Sequence, residues 1–193
     1  MDLSKAKYIA SYGTFDQLPD STVPEIAFTG RSNVGKSSLL NAIFGRRALA
    51  KVSSKPGKTA TINFFDCEGV NLVDLPGYGF AKVSRSELDR WADLIEGYFN
   101  SERDLRLAVA LVDIRHEPSE LDKTMVSFLI EIGAPFVIVL TKADKLSRQK
   151  CNNMRNRIVK CLQLDPDIQV IITSSEAKLG IDHLKQAIFK SLE

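Results

Sequence analysis

The sequence has three cysteines, Cys67, Cys151 and Cys161. They form no C-x-x-C pair and no even set. That excludes a disulfide framework or an ordinary zinc site and points to a reducing cytoplasm. The two histidines, His116 and His183, are too far apart for a metal pair. Long apolar runs are missing as well. One of the longest, Phe136 to Leu140, is far short of the roughly 20 residues a membrane helix needs. No apolar stretch follows the first seven residues, and the final Lys-Ser-Leu-Glu carries no prenylation cysteine. A signal peptide, a lipid anchor and a membrane partner are therefore not expected. An excess of one charge is also lacking, since 26 bases against 24 acids leave +2. One local absence says more. Between Ile26 and Phe65 there is no acid, while seven bases occur: Arg31, Lys36, Arg46, Arg47, Lys51, Lys55 and Lys58. A basic block of this length inside a balanced chain asks for an explanation.

What is present reads as one globular unit. A chain of 193 residues, 44% hydrophobic and 26% charged, can bury a full core. Apolar runs at 25–29, 61–67, 70–74, 107–113, 135–141 and 168–173 predict strands, mostly continuous as in a sheet covered on both faces. Helical periodicity predicts helices over 86–99, 119–132, 148–164 and 181–192, with another opening at Lys36. Ser84 with Glu87, and Ser119 with Asp122, fit capping boxes. Only Glu68 and Gly69 separate two of the strands, which predicts a hairpin. The expected fold is α/β, a three-layer arrangement with a mostly parallel sheet of about six strands, one of them antiparallel, and helices on both faces. Residues 1–24 read as a polar extension with a short strand at 7–12, and residues 25–193 as a single domain. The stretch 48–61 has no apolar period and reads as a functional or mobile loop.

Gly30-Arg31-Ser32-Asn33-Val34-Gly35-Lys36-Ser37 matches G-x-x-x-x-G-K-[ST], after a predicted strand and before a predicted helix. In such a loop the glycines let successive N–H groups point at phosphate oxygens, and the helix N-terminus adds partial positive charge. Lys36 would reach the β- and γ-phosphates and the Ser37 hydroxyl would bind Mg²⁺. Asp74-Leu75-Pro76-Gly77 ends a predicted strand. Asp74 could hold Mg²⁺ through a water, and the Gly77 N–H could meet the γ-phosphate. In Thr141-Lys142-Ala143-Asp144, the Asp144 carboxylate can accept from guanine N1–H and its 2-amino group, which adenine lacks. The Lys142 stem could lie along the base. Thr173-Ser174-Ser175, again at a strand end, could touch the guanine O6. Each of the last three is weak alone. Together, in chain order and at the carboxyl ends of strands, they mark a guanine-nucleotide site.

Those residues make the chain resemble the translation-factor-like P-loop GTPases, and more closely the bacterial EngB (YihA/YsxC) family. The segments that carry the resemblance are GRSNVGKSSLLNA (30–42), SSKPGKTATINFF (53–65), VDLPGYGFAKV (73–83), DIRH (113–116), TKADKL (141–146) and TSS (173–175). The resemblance implies GTP hydrolysis with Lys36, Thr59 and Gly77 as the catalytic set. It implies Thr59 as a Mg²⁺ ligand beside Ser37, and a nucleotide contact by Gly57, Lys58, Thr59, Ala60 and Thr61. It also implies assembly of the large ribosomal subunit, normal division and septation, a cytoplasmic monomer, and a ribosomal particle or rRNA as partner. Tyr78 stands where many small GTPases carry the glutamine that orients water, so slow intrinsic hydrolysis is expected. Thr141 replaces a common Asn, which leaves its bracing of the P-loop open. Asn33 sits where potassium-activated relatives place a cation ligand, so K⁺ is an expected second cofactor. Two other readings stay open on sequence: a septation switch that meets only protein, and an ATP-using P-loop module.

Overall fold

Strand β5 (Leu105–Asp113) shows how the sheet is covered. Its Ala108, Ala110 and Val112 side chains belong to one core cluster, and Leu107, Val109 and Leu111 to another. Alternate residues of a strand face opposite sides, so two separate cores mean that helices pack on both faces. The computed structural model describes residues 1–50, 61–79 and 84–193. The other strands are β1 (Lys7–Tyr12), β2 (Glu25–Gly30), β3 (Ile62–Cys67), β4 (Val70–Asp74), β6 (Phe136–Thr141) and β7 (Val170–Ile172). The helices are α1 (Lys36–Ile43), α2 (Arg85–Asn100), α3 (Glu120–Glu131), α4 (Arg148–Cys161) and α5 (Ile181–Ser191). Helices α1 and α5 share one core with the outer faces of β2 and β6; α2, α3 and α4 share the other.

The sheet order is β1-β3-β4-β2-β5-β6-β7. That is seven strands rather than the expected six or so. The addition is β1, which pairs antiparallel with β3. Because β3 also runs antiparallel to β4, it alone among the described strands opposes the rest. Leu3 and Ala6, just before β1, are buried beside α1. Local signals hold where the chemistry is local. Glu68 and Gly69 both take positive φ, 53° and 86°, as a two-residue hairpin requires. Both capping boxes form, at Ser84 and Ser119. Helix α4 ends at Cys161, three residues earlier than expected, and β7 is shorter than the 168–173 run.

At the amino end of β2, Glu25 is fully buried. Arg103 grips it with Nε–Oε2 at 2.8 Å and Nη2–Oε1 at 2.9 Å, and the Tyr98 hydroxyl donates to Oε2 at 2.8 Å. The guanidinium also lies 4.9 Å from the Tyr98 ring centre. Burial, with Glu25 beside it, pushes the Tyr98 phenol well above its ordinary range. A fork-to-fork pair holds a buried carboxylate only while both partners remain. Arg103→Ala should therefore cost about 3 kcal/mol in urea unfolding, and Glu25→Gln in the same background should recover part of it.

Candidate functional site

The parallel register brings the candidate loops at 30–37, 74–77, 141–144 and 173–175 to one edge of the sheet. Phe28 pairs with Asp74, Gly30 with Leu111, Asp113 with Thr141, and Leu140 with Ile172. Residues 30–37 curl between these ends. A Cβ on Gly30 would fall 2.9 Å from Val34 Cγ1 and 3.0 Å from Leu111 Cβ, so only glycine lets the loop turn there. Gly35 sits at φ 102° as the N-cap of α1, a conformation that suits glycine. Arg31 and Asn33 are exposed, Val34 is buried, and Ser32, Lys36 and Ser37 lie between these extremes. The free N–H groups of the first turn of α1 follow at once.

The loop is tied down from three sides. Ser32 N–H donates to the Tyr78 carbonyl at 2.8 Å, and Tyr78 N–H returns to Gly30 at 3.3 Å. Gly77 packs so close to Ser32 that a Cβ would stand 3.1 Å from its nitrogen. Leu75 is buried and donates its N–H to Phe28, while the Pro76 carbonyl accepts from Trp91. The buried Thr141 hydroxyl donates to the Val34 carbonyl at 2.7 Å, so threonine does brace the loop, through its backbone. Lys142 Nζ donates to the Asn33 carbonyl at 2.7 Å and pairs with Asp113 at 2.9 Å. Arg115 also bonds Asp113. Burial works against the Asp113 charge, but the hydrogen bonds from Arg115 and Lys142 outweigh it and hold this carboxyl well below the usual range.

Lys36 and Asp74 form an ion pair, both largely buried. The other Asp74 oxygen accepts from the Asn63 amide at 3.2 Å. Asn63 in turn accepts from the Thr61 hydroxyl at 3.1 Å and from Ser11 at 2.6 Å, and Ser11 bonds the Tyr8 hydroxyl at 2.8 Å. A hydrogen-bond chain thus runs from the edge strand β1 to the P-loop lysine. Sequence reasoning missed Asn63. Its signal was a polar residue between apolar neighbours on a strand.

Residues 141–144 and 173–175 meet through backbone and side chain. Ala143 N–H donates to the Thr173 carbonyl, and Thr173 N–H to Leu140 at 2.7 Å. The buried Ser174 hydroxyl donates to Asp144 Oδ1 at 2.6 Å, with Lys145 on the second oxygen at 2.9 Å. Ser175 is half-buried beside them. The Ser174 hydroxyl, then Lys145, lower the Asp144 pKa to about 2. Residues 57–60, including the expected ligand Thr59, lie outside the described residues. Tyr78 does not face the loop edge. Its hydroxyl donates to buried Asp122 at 2.9 Å, and its ring meets Trp91 edge-on. Burial first, then Asp122, raises its pKa far beyond any working pH. A cleft of about 200 Å³ opens on the outer side of the loop. There Arg31, Arg115 and Lys142 lie with Asp113, Glu117 and Asp122, so the formal charges of its lining balance.

A doubly wound sheet with a P-loop at its switch point, and with D-x-x-G and T-K-x-D loops at neighbouring strand ends, is the fold of a P-loop GTPase. The family model for 50S ribosome-binding GTPases matches residues 25–142. The "Probable GTP-binding protein EngB" of Listeria monocytogenes serotype 4a is 42% identical over 194 residues and is covered in full, as is this chain. That of Ligilactobacillus salivarius is 48% identical over 170 residues, covering 88% of this chain and 87% of its own. The crystal structure of a probable GTP-binding protein engB superposes with a TM-score of 0.73 at 26% identity, over 86% of this chain and 97% of that one. The chain belongs to the EngB family of GTP-binding proteins, and it is a GTPase. The reading of an ATP-using module is thereby set aside.

The Asp144 carboxyl is held below its ordinary 3.8, so its charge contributes above that value and is lost as pH falls through about 2. Ser174→Ala removes the leading cause. Carbon-detected NMR titration should then show the Asp144 pKa moving up toward 3.8, with the carboxylate lost at correspondingly higher pH.

Proposed function

We propose that this GTPase is a nucleotide-driven switch in assembly of the large ribosomal subunit, and that its part in division and septation follows from that work. The observation that carries the reading is the convergence of residues 30–37, 74–77, 141–144 and 173–175 on one sheet edge, in a chain matched by a family model described as 50S ribosome-binding. The N–H groups of residues 30–37 and the Lys36 ammonium hold the β- and γ-phosphates. Asp144 accepts from guanine, Lys142 lies along the base, and the Thr173–Ser175 turn meets the O6. Gly77 N–H meets the γ-phosphate, and the likeness to the EngB family assigns Thr59 to Mg²⁺ and residues 57–61 to the nucleotide.

The donor set suits Mg²⁺. Ser37 and Asp74 offer a hydroxyl and a carboxylate, and Lys36 already marks Asp74 as a place that stabilises a cation. No group of three or more His, Cys, Asp or Glu residues fit to hold a metal occurs among the described residues. That accords with an ion that is held by few protein ligands plus phosphates. When bound, it would neutralise the charge that develops on the phosphate oxygens. Tyr78 points into the core, so the residue after Gly77 orients no water. Slow intrinsic hydrolysis, raised by a partner, follows. A K⁺ ion near Asn33 is supported by that residue's identity alone.

No helix among the described residues is long and apolar enough to cross a membrane. With three free cysteines, this supports a cytoplasmic protein. We read it as a monomer with residues 25–193 as the GTP-binding domain and 1–24 as an extension laid against it.

Co-sedimentation with purified 50S subunits tests the switch. Protein should pellet with a nonhydrolysable GTP analogue and be released with GDP, and binding should weaken steeply with salt if rRNA phosphates are met. Absence of pelleting in both states refutes the ribosomal role and favours a partner that is protein alone. For the guanine assignment, Asp144→Asn should weaken GTP binding about 100-fold or more and admit xanthosine nucleotides, because it removes an acceptor that the base needs.

A further inference from the structure

Helix α4 contains Arg148, Lys150, Arg155, Arg157 and Lys160 and no acid at all. Its neighbours on the same face of the sheet differ. Helix α2 holds four acids against two bases, and α3 three acids against one. Taking α4 out of the 26 bases and 24 acids leaves 21 against 24, which turns a net +2 into −3. One fourteen-residue helix therefore carries more than the whole positive excess of the chain.

The geometry of α4 exposes that charge. Cys151 and Ile158 are its buried residues and anchor it over the sheet. Arg148, Lys150, Arg157 and Lys160 are exposed. So are Gln149, Asn152, Asn153 and Asn156, which form an amide spine between them. Arg157 pairs with Glu117. Arg148, Lys150 and Lys160 have no ion-pair partner among the described residues. An ordinary solvent face mixes both signs. This one offers cations and amide groups only, over about 20 Å of helix axis.

We propose that the solvent face of α4 is a contact surface for RNA backbone, through which the protein meets the ribosomal particle. The inference rests on the ribosomal reading above and adds where on this chain the contact lies. Cations neutralise phosphates, and amides can both donate to phosphate and bond the 2′-hydroxyl, so the pair of chemistries suits a shape-read RNA helix. A membrane surface fits poorly, because the exposed positions of α4 include no large apolar residue to insert. Helix α4 follows the 141–146 loop and its inner face meets it through Cys151, whose Sγ bonds the Ala143 carbonyl. The Arg148, Lys150 and Lys160 side chains point to solvent, so they can be changed without removing that contact.

The triple variant Arg148→Gln, Lys150→Gln, Lys160→Gln keeps good helix formers in place. Its control removes three bases elsewhere: Lys7→Gln, Lys185→Gln, Lys190→Gln. Both should retain basal GTP hydrolysis. Binding to purified 50S subunits is measured with the GTP analogue across a salt series. The α4 variant should bind about 10- to 100-fold more weakly near 0.1 M salt, with a log–log salt slope shallower by about 2 to 3. The control should lose less than about 3-fold. Equal losses in the two variants overturn the α4 assignment while the ribosomal role stands. A loss in the α4 variant with an unchanged salt slope overturns the RNA contact and points to protein. Wild-type protein that leaves 50S subunits unbound overturns both readings together.

Discussion

The register of β2 between its two parallel neighbours is the constraint on which the site depends. Phe28 stands opposite Asp74 on one side and Gly30 opposite Leu111 on the other. A slip of one residue would turn every side chain to the wrong face. It would also move the start of the P-loop away from Leu111, against which Gly30 fits with no room for a Cβ. The register is enforced by two cores at once. Ile26 and Phe28 must enter one and Ala27 the other. Catalytic geometry is thus inherited from packing far from any phosphate, and the buried Glu25–Arg103 grip fixes the opposite end of the same strand.

On that frame the charges are arranged in compensated pairs. Lys36 faces Asp74, Lys142 faces Asp113, and Asp144 rests on Ser174 and Lys145. The Lys36–Asp74, Lys142–Asp113 and Ser174–Asp144 contacts join segments that are distant in sequence, so they also lock the loops to one another. On the proposed reading, a triphosphate with a divalent cation would present both signs. Lys36 and Asp74 can then each exchange one partner for another, with no charge left uncompensated in a largely buried place. The Asn63 amide steadies Asp74 in either pairing, because it bonds the oxygen that Lys36 does not use.

Much of this was legible in the chain because it depends on local chemistry. The P-loop, the hairpin at Glu68–Gly69 and the two capping boxes all act within a few residues, and all are as the spacing predicts. What escaped was carried by long-range partners. The short strand expected at 7–12 is present as β1; what depended on a distant partner is its pairing with β3, which makes it part of the sheet. That Tyr78 takes the place of a water-orienting glutamine is legible in the chain, but where its side chain goes is not. Its inward turn is set by Asp122, 44 residues away. Asp113 caps the turn after β5 by accepting from the Arg115 N–H at 3.1 Å, a local bond. Its pairing with Lys142, and through Lys142 with the P-loop, needed the register of β5 and β6.

The acid-free block that begins at Ile26 now divides by place. Lys36 is paired inside the site, and Arg46 bonds the Ser4 carbonyl through two nitrogens, at 3.1 and 2.9 Å. Neither is spare for an outside polyanion. Arg31 lines a cleft whose charges already balance. The missing acids there spare a triphosphate from repulsion more than they advertise an RNA surface. Helix α4 has the opposite character. It sits in a part of the sequence with ordinary overall charge, and its excess shows only when the acids of α2 and α3 are assigned to their own helices. Charge that serves a site is compensated within the fold. Charge that serves a partner is left in solvent without a mate. By that criterion Lys36 belongs to the nucleotide site, and Arg148, Lys150 and Lys160 of α4 are the charges left for a partner.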